Sequence, residues 1–422
     1  MLKKKYYKAL YDYAKGVADS LTDPVEKEMF EKCYLNTLET TLSIIGGVYV
    51  KTGDIPAMWL RDSSVQVSHY VRLAGKDEKV AELVKGLLKR QFKCILIDPY
   101  ANAFNKRANG KGHKDITAYN KNVFERKYEI DSLVYPIWLL NRYYGFCKDA
   151  SVFDELFFKA YQTIIDTFVK EQKHDELSDY SFIRIGDYSF DSLPRDGKGG
   201  ETAYTGMIFS AFRPSDDRCE YHYLVPSNMF VVAAFKELLS NLDRAGVQNP
   251  LKEKTQKLIK EVDDGIKKYG IVDSPLGKVY AYEVDGLGGV NMMDDANVPG
   301  LLSIPYIGYA AKDDPIYLNT RKFVLSKNNP YYFEGKAASG VGSPHTPKNY
   351  VWHIALIIQA LTSTDEKEIG AIRQILKNTT AGTGFMHEGF DCDDPGKFTR
   401  DWFAWANTLY SIFVIDCIKG KN

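Results

Sequence analysis

Three short segments of this chain hold side chains that could do acid–base chemistry on an uncharged substrate. The first is Phe212-Arg213-Pro214-Ser215-Asp216-Asp217-Arg218-Cys219-Glu220, followed by Tyr221-His222-Tyr223. Two adjacent carboxylates in an aromatic, proline-fixed loop can push one proton affinity upward, which suits a general acid. The second is Gly384-Phe385-Met386-His387-Glu388-Gly389-Phe390, where a glutamate between aromatics and glycines is placed to activate a water as general base. The third is Met58-Trp59-Leu60-Arg61-Asp62-Ser63, in which a donor fork and an acceptor pair stand beside an indole face, a set that fits sugar hydroxyls and a sugar ring. The first and third have plainer readings: a solvated Ser-Asp-Asp turn, and Asp62 as a helix cap with Arg61 in a surface pair. Trp402 and Trp405 stand at helical spacing, and for Trp405 a core position is the simpler expectation.

Other patterns compete or are missing. Asp216-Asp217-x-x-Glu220 and Asp391-x-Asp393-Asp394 have the look of aspartate-rich magnesium motifs, so a magnesium-dependent prenyl or terpene enzyme is a second hypothesis. Asp391, Asp393 and Gly396 echo a calcium loop, but Pro395 and Trp402 at the twelfth position break it. The loops Asn291–Asn297 and Gly342–Thr346 also fit a pocket. His69, His113, His174, His222, His345, His353 and His387 lack metal-ligand spacing, and neither a P-loop, a G-x-S-x-G elbow nor an H-E-x-x-H motif occurs. No cofactor and no metal are expected. Separated carboxylate loops with aromatic platforms point to glycoside hydrolysis, which needs one protonated carboxyl and one carboxylate across the scissile bond. A non-catalytic glycan-binding protein is a third hypothesis, although both carboxylates are present.

The elements that must position these loops read mainly as helices. Val80, Leu83, Val84, Leu87, Leu88 and Phe92 form an i, i+3, i+4, i+7 stripe. Similar stripes run over 153–168 and 251–266, and shorter ones over 5–20, 24–45, 130–146, 226–245, 350–363, 366–378 and 402–418. The best strand signal is Lys278 to Asp285, a short hairpin arm. Between the helices lie long loops rich in polar and aromatic residues, at about 52–64, 98–126, 184–223, 283–300, 330–348 and 382–401, and loops of such length in a compact chain are usually functional. The pattern predicts an all-α fold with a minor β-hairpin: a helical toroid of alternating inner and outer helices, with its functional loops at one end. No Pro, Ser or Gly linker divides the 422 residues, so 1–422 reads as a single domain.

Composition limits the partners. Lys+Arg and Asp+Glu are both 55, a formal net charge of zero with no basic stripe, which argues against nucleic acid. No stretch approaches a membrane span. Charged residues interrupt the amino-terminal segment after Met1, and the six scattered cysteines (Cys33, Cys94, Cys147, Cys219, Cys392, Cys417) lack pairing rhythm, so the expected location is cytoplasmic.

At these same residues the chain resembles glycoside hydrolase family 125, the metal-independent exo-α-1,6-mannosidases. The resemblance lies in Asp54-Ile55-Pro56-Ala57-Met58-Trp59-Leu60-Arg61-Asp62-Ser63, Phe212-Arg213-Pro214-Ser215-Asp216-Asp217, Gly342-Ser343-Pro344-His345-Thr346-Pro347, His387-Glu388 and Phe398-Thr399-Arg400-Asp401-Trp402-Phe403. It implies an (α/α)6 barrel and an inverting hydrolysis that releases non-reducing terminal α-1,6-linked mannose from oligosaccharides such as N-glycan or mannan fragments. Asp216 would be the general acid, with Asp217 the rival, and Glu388 the general base. Sugar contacts are expected from Trp59, Arg61, Asp62, Asp217, His222, Asn228, His345, His387 and Arg400, with Arg400 alternatively orienting a carboxylate.

Overall fold

The structure, a computed structural model, describes residues 2–186 and 191–419. Residues 187–190 of the predicted loop 184–223 lie outside the described residues, as do Met1 and the last three residues of the predicted domain.

Helices of nine or more residues carry the fold: α1 (Lys8–Ser20), α2 (Pro24–Asn36), α3 (Leu60–Ser68), α4 (Glu78–Ile97), α5 (Ile130–Cys147), α6 (Glu155–Glu171), α7 (Val225–Arg244), α8 (Lys252–Tyr269), α9 (Pro315–Val324), α10 (His353–Leu361), α11 (Glu366–Asn378) and α12 (Ala404–Lys419). Two kinds stand out. α4, α6, α8 and α11 are amphipathic and bury one stripe, as their periodicity predicts. Aspartates cap three of them: Asp77 accepts from Val80 N, Asp154 from Phe157 N and Asp365 from Lys367 N. A second kind is buried nearly all round or over most of its length: every residue of α3, and most residues of α5, α7 and α10; α1, α2 and α9 bury only part of their surface. α3 packs on α5, α5 on α7, α10 on α12 and α12 on α3, while α4 pairs with α6, α7 with α8 and α10 with α11. α12 also packs against α2, joining the two ends of the chain.

The buried helices α3, α7 and α10 have no side-chain N-cap; each is entered directly from a short strand. Three three-stranded antiparallel sheets supply those strands. β1 (Met58–Trp59), β2 (Ala103–Phe104) and β3 (Val123–Glu125) form the first, with Trp59 opposite Ala103 and Ala103 opposite Glu125. β4 (Tyr223–Leu224) belongs to the second. β5 (Ile271–Ser274) and β6 (Gly277–Tyr280) form a separate hairpin, and β7 (Glu283–Val284) sits between β4 and β8 (Val290–Asn291). In the third, β10 (Gly389–Asp391) lies between β9 (Tyr350–Trp352) and β11 (Phe398–Thr399).

Several boundaries differ from expectation. The predicted arm at Lys278–Asp285 is split between the β5–β6 hairpin and β7. The predicted helix 24–45 stops as an α-helix at Asn36, widens into a π turn at Thr37–Thr41 and becomes a strand at Leu42. The helix expected from 350 starts at His353, because Tyr350–Trp352 pair with β10. The periodicity does not predict α9, although Asp314 caps it and Pro315 sits at its first position, the usual start signal.

One large apolar cluster runs from Tyr7 to Ile415, and a small second one comprises Ala57, Trp59 and Ala103, with Ile55 and Phe124 against it. Much of the tyrosine excess belongs to the core: Tyr34, Tyr70, Tyr128, Tyr135, Tyr143, Tyr161 and others are fully buried. Among the described residues no helix is long and apolar enough to cross a membrane.

Candidate active site

The sheet ends and the loops leading into the buried helices converge on a narrow recess. Its walls include Asp54, Trp59, Arg61, Asp62, Ser215, Asp216, Asn297, His345, Trp352, Glu388, Arg400, Trp402, Phe403 and Trp405. Segments remote in sequence thus meet in one place, and five of the six predicted loops contribute directly. The recess adjoins a wider cavity of about 810 Å³, with which it shares Ile55, Trp59, Asp216, His345 and Arg400. Glu388 and Asp62 line the recess only; Asp216 stands in the walls of both. Among the described residues no tyrosine lines either, and the Tyr-free walls carry Trp and Phe.

Asp216 is held by strain and by donors. Its φ is +66°, a left-handed conformation that is costly for a residue with a Cβ. Its Oδ1 accepts from Trp59 Nε1 (3.2 Å), Arg61 Nη2 (3.2 Å) and Asn102 Nδ2 (3.2 Å), and its carbonyl accepts from Lys127 Nζ (2.6 Å). Although burial raises the proton affinity of Asp216, the Arg61 guanidinium, with Lys127, outweighs it and holds the carboxyl well below the usual carboxylate range. Asp217 turns the other way, with Oδ1 2.8 Å from His345 Nδ1. Burial pulls the imidazole down, but that bond, with Asp217, Glu388 and Asp216 nearby, lifts His345 to about 9. Of the two adjacent aspartates, then, Asp217 is committed to an imidazolium and Asp216 faces the boundary between recess and cavity.

Across the recess, Glu388 accepts from Arg400 Nε (3.1 Å), and Arg400 Nη1 also grips Asp54 (2.6 Å). Arg400 itself has φ +58°, so the two non-glycine residues of the site with left-handed backbones flank it from opposite loops. Arg400 therefore orients a carboxylate. The glycine after Glu388 has a packing reason: a Cβ on Gly389 would lie 3.1 Å from Trp352 Cδ1 and 3.2 Å from its Nε1.

The Arg61–Asp62 pair is neither a surface pair nor a cap. Arg61 is 2% exposed and lies 5.7 Å from the Trp405 ring, which is core and recess wall at once. Its Nη1 donates to Glu129 Oε2 (2.5 Å) and Asp131 Oδ2 (3.1 Å), so both η nitrogens are spent on protein carboxylates and only Nε is unpartnered. The predicted hydroxyl-binding fork thus largely braces Asp216, Glu129 and Asp131. Asp62, 3.7 Å from Arg61 Nε, accepts no hydrogen bond from another side chain among the described residues, and burial pushes it up to about 6. It has acceptor capacity left for a ligand, as do Glu388 and Asp216, each of which accepts side-chain hydrogen bonds through one carboxylate oxygen.

Three predicted sugar contacts lie outside both cavities. His222 stacks on Phe209 (4.3 Å), faces the Ser210 carbonyl through Nδ1 (2.9 Å) and accepts from Gly200 N through Nε2 (2.8 Å); burial lowers it to about 4, so it is a neutral core histidine. Asn228 spends its amide on Ile208 N, Ile208 O and Leu224 O. His387 stacks on Phe398 (3.9 Å), with its ring nitrogens against the Arg400 and Thr380 carbonyls. It props the Glu388 loop from behind.

Sequence reasoning missed Asn102, Lys127, Glu129 and Asp131, which support Arg61 and Asp216 from beneath. Glu129 and Asp131 straddle the start of α5, where acids are ordinarily read as helix-dipole partners, and that plainer role hid them. The magnesium hypothesis is not supported: Asp216 and Asp217 are occupied as described, Glu220 is exposed, and Asp391, Asp393 and Asp394 line neither cavity. Asp391, Cys392 and Asp393 do place ligand atoms within 4.8 Å of one another. Yet Asp391 accepts from the Asp393 and Asp394 amides, and Asp393 from Lys336 N, as turn residues do.

Paired carboxylates from separate loops, lining a recess walled by tryptophans on a scaffold of buried and amphipathic helices, define a helical glycosidase. Residues 23–415 match the family described as metal-independent alpha-mannosidase (GH125), and the chain belongs to that family: it is a glycoside hydrolase, an α-mannosidase. It is 39% identical over 441 residues to the meiotically up-regulated gene 157 protein of Schizosaccharomyces pombe, covering 98% of this chain and 86% of that one. A solved structure from Streptococcus pneumoniae, of a metal-independent α-mannosidase in a non-productive complex with α-1,6-mannobiose, matches with a TM-score of 0.94 and 42% identity, over 99% of each chain. A GH63 mannosylglycerate hydrolase from Thermus thermophilus, 10% identical, shares the fold with a TM-score of 0.52 over 92% of this chain and all of the other.

Proposed function

We propose that the protein is an exo-acting, inverting, metal-independent α-1,6-mannosidase, built as one (α/α)6 catalytic domain over 1–422. The observation that carries this reading is the position of Asp216 at the boundary between a narrow recess and a wide cavity, with Glu388 and Asp62 only on the recess side. A terminal mannose seated in the recess would put its glycosidic oxygen at Asp216 and the rest of the oligosaccharide in the outer cavity. Asp216 would protonate the leaving oxygen, and Glu388, held by Arg400, would deprotonate a water attacking the opposite face of the ring. In an inverting enzyme the two carboxyls stand about 6.5–9.5 Å apart to admit that water. The α-1,6-mannobiose bound to the streptococcal relative supports the linkage, and mannooligosaccharides are the proposed substrates. Arg61, Trp59 and Asn102 aim the acid, and Asp62 takes the sugar hydroxyls. A cytoplasmic location is part of the proposal, supported by six unpaired cysteines, four of them buried.

Exo action is tested with an α-1,6-mannotriose labelled at its reducing end. The expected products are free mannose with labelled mannobiose first and labelled mannose later. Early release of labelled mannose together with unlabelled mannobiose would contradict the assignment.

A further inference from the structure

The proposed acid presents a difficulty: Arg61 and Lys127 beside Asp216 favour its ionised form, yet the reaction asks it to deliver a proton. The residues beneath it resolve this. Glu129 is 1% exposed, at the entry to α5. Its Oε2 accepts from Arg61 Nη1 (2.5 Å) and Ser132 Oγ (2.7 Å), and its Oε1 from Asn102 Nδ2 (3.3 Å). Asn102 Nδ2 donates to Asp216 Oδ1 as well (3.2 Å), and Arg61 reaches Asp216 through Nη2 (3.2 Å), so the two carboxyls are gathered on shared donors. Two carboxylates offer acceptors only, so their close approach is favourable only with a proton on one of them.

Counting charge gives the same answer. Asp62, Glu129, Asp131 and Asp216 all converge on Arg61, while the other cations nearby are shared: Lys127 with Asp191 and Glu125, His345 with Asp217, and Arg400 with Glu388 and Asp54. Glu129 and Asp131 have no solvent contact through their side chains and meet only Arg61 among these cations, so keeping both ionised carries a heavy desolvation cost. Burial first, then the Asp216 and Asp131 carboxylates, raise the Glu129 carboxyl well above its ordinary range against the pull of Arg61. Groups so close titrate together, and burial favours the protonated form of Glu129.

We infer that Glu129 is a positioning residue for the acid step, holding against Asp216 the proton that Asp216 passes to the glycosidic oxygen. The inference rests on the reading of Asp216 as general acid. As the C1–O bond breaks and its electron pair goes to the leaving oxygen, that oxygen takes a proton from Asp216 as Asp216 takes the proton of Glu129. Glu129 is left as a carboxylate on Arg61 and regains a proton from water after product release. Glu388 gives the proton of the attacking water to solvent, so protons balance over the cycle.

The test compares Glu129→Gln and Asp216→Asn with the parent enzyme on α-1,6-mannobiose and on α-mannosyl fluoride, whose leaving group needs no proton donor. For Glu129→Gln the expected result is a kcat loss of about 10²-fold or more on the disaccharide, with a much smaller loss on the fluoride. Equal losses on both substrates, or no loss on the disaccharide, would overturn the role of Glu129. Asp216→Asn separates the two readings: if it too loses equally on both substrates, the assignment of the acid has failed instead. Infrared spectra of the parent enzyme at neutral pH need no variant. A protonated-carboxyl carbonyl band that shifts on ¹³C labelling of glutamate is expected, and its absence would overturn the inference.

Discussion

At the scale of residues, two adjacent aspartates are told apart by their partners. Asp216 has a left-handed backbone, three side-chain donors and a place at the mouth of the recess; Asp217 has an imidazole. Asp216→Asn is therefore expected to lower kcat on α-1,6-mannobiose by about 10²- to 10⁴-fold with unchanged circular dichroism, whereas Asp217→Asn costs far less. Equal losses would contradict the distinction. The Asp217–His345 pair also sets a pH dependence. With a folded value of about 9, against about 6.5 for a free imidazole, the stabilisation from the His345 imidazolium is full below the lower value and is lost as pH rises through the upper one. An NMR titration of the His345 ring is expected to show a midpoint near 9 that falls in Asp217→Asn. A midpoint near the free value in the parent enzyme would mean that the ion pair does not form. Asp216, Glu388 and Arg400 were legible in sequence because acids, glycines and aromatics in a loop make an unusual combination. Asn102, Lys127 and Glu129 were not, since nothing local marks a polar residue as buried against a partner remote in the chain.

At the scale of elements, loops bearing strained residues need anchors, and the acid loop has one in Arg213. It reaches Glu283 on β7 through Nε (2.6 Å) and Nη2 (3.0 Å), and Glu283 also accepts from Asn291 and from the Glu220 amide. Glu283 has no exposed surface, so Arg213→Ala would leave a buried carboxylate without its cation. Urea unfolding is expected to show a loss of about 3–5 kcal/mol, largely recovered in an Arg213→Met, Glu283→Leu pair; a loss under about 1 kcal/mol would deny the anchor. The amphipathic helices were readable from sequence: stripes at 80–92, 153–168 and 251–266 correspond to Glu78–Ile97, Glu155–Glu171 and Lys252–Tyr269. The strands were not. Met58–Trp59, Tyr223–Leu224 and Gly389–Asp391 are two or three residues long and pair with segments remote in sequence, so they carry no period to detect. Those strands nonetheless deliver Trp59 and fix the residues beside Glu388.

At the scale of the molecule, helical periodicity and six long loops pointed to a helical fold with its chemistry gathered from many loops, and family membership across 23–415 agrees with a glycosidase of that kind. What composition could not supply was the partition between recess and outer cavity, because it arises from segments as distant as Asp54 and Arg400 meeting across the site. That partition underlies the central claim: one terminal mannose enters, Asp216 and Glu388 work from opposite faces, and the anomeric centre inverts. The most direct measurement is proton NMR of the purified enzyme turning over α-1,6-mannobiose in EDTA, following which mannose anomer appears first. The expected result is β-mannose at undiminished rate, with α-mannose appearing only by mutarotation. Initial α-mannose would contradict the inverting arrangement, and loss of turnover in the chelator would contradict chemistry carried by these carboxylates alone.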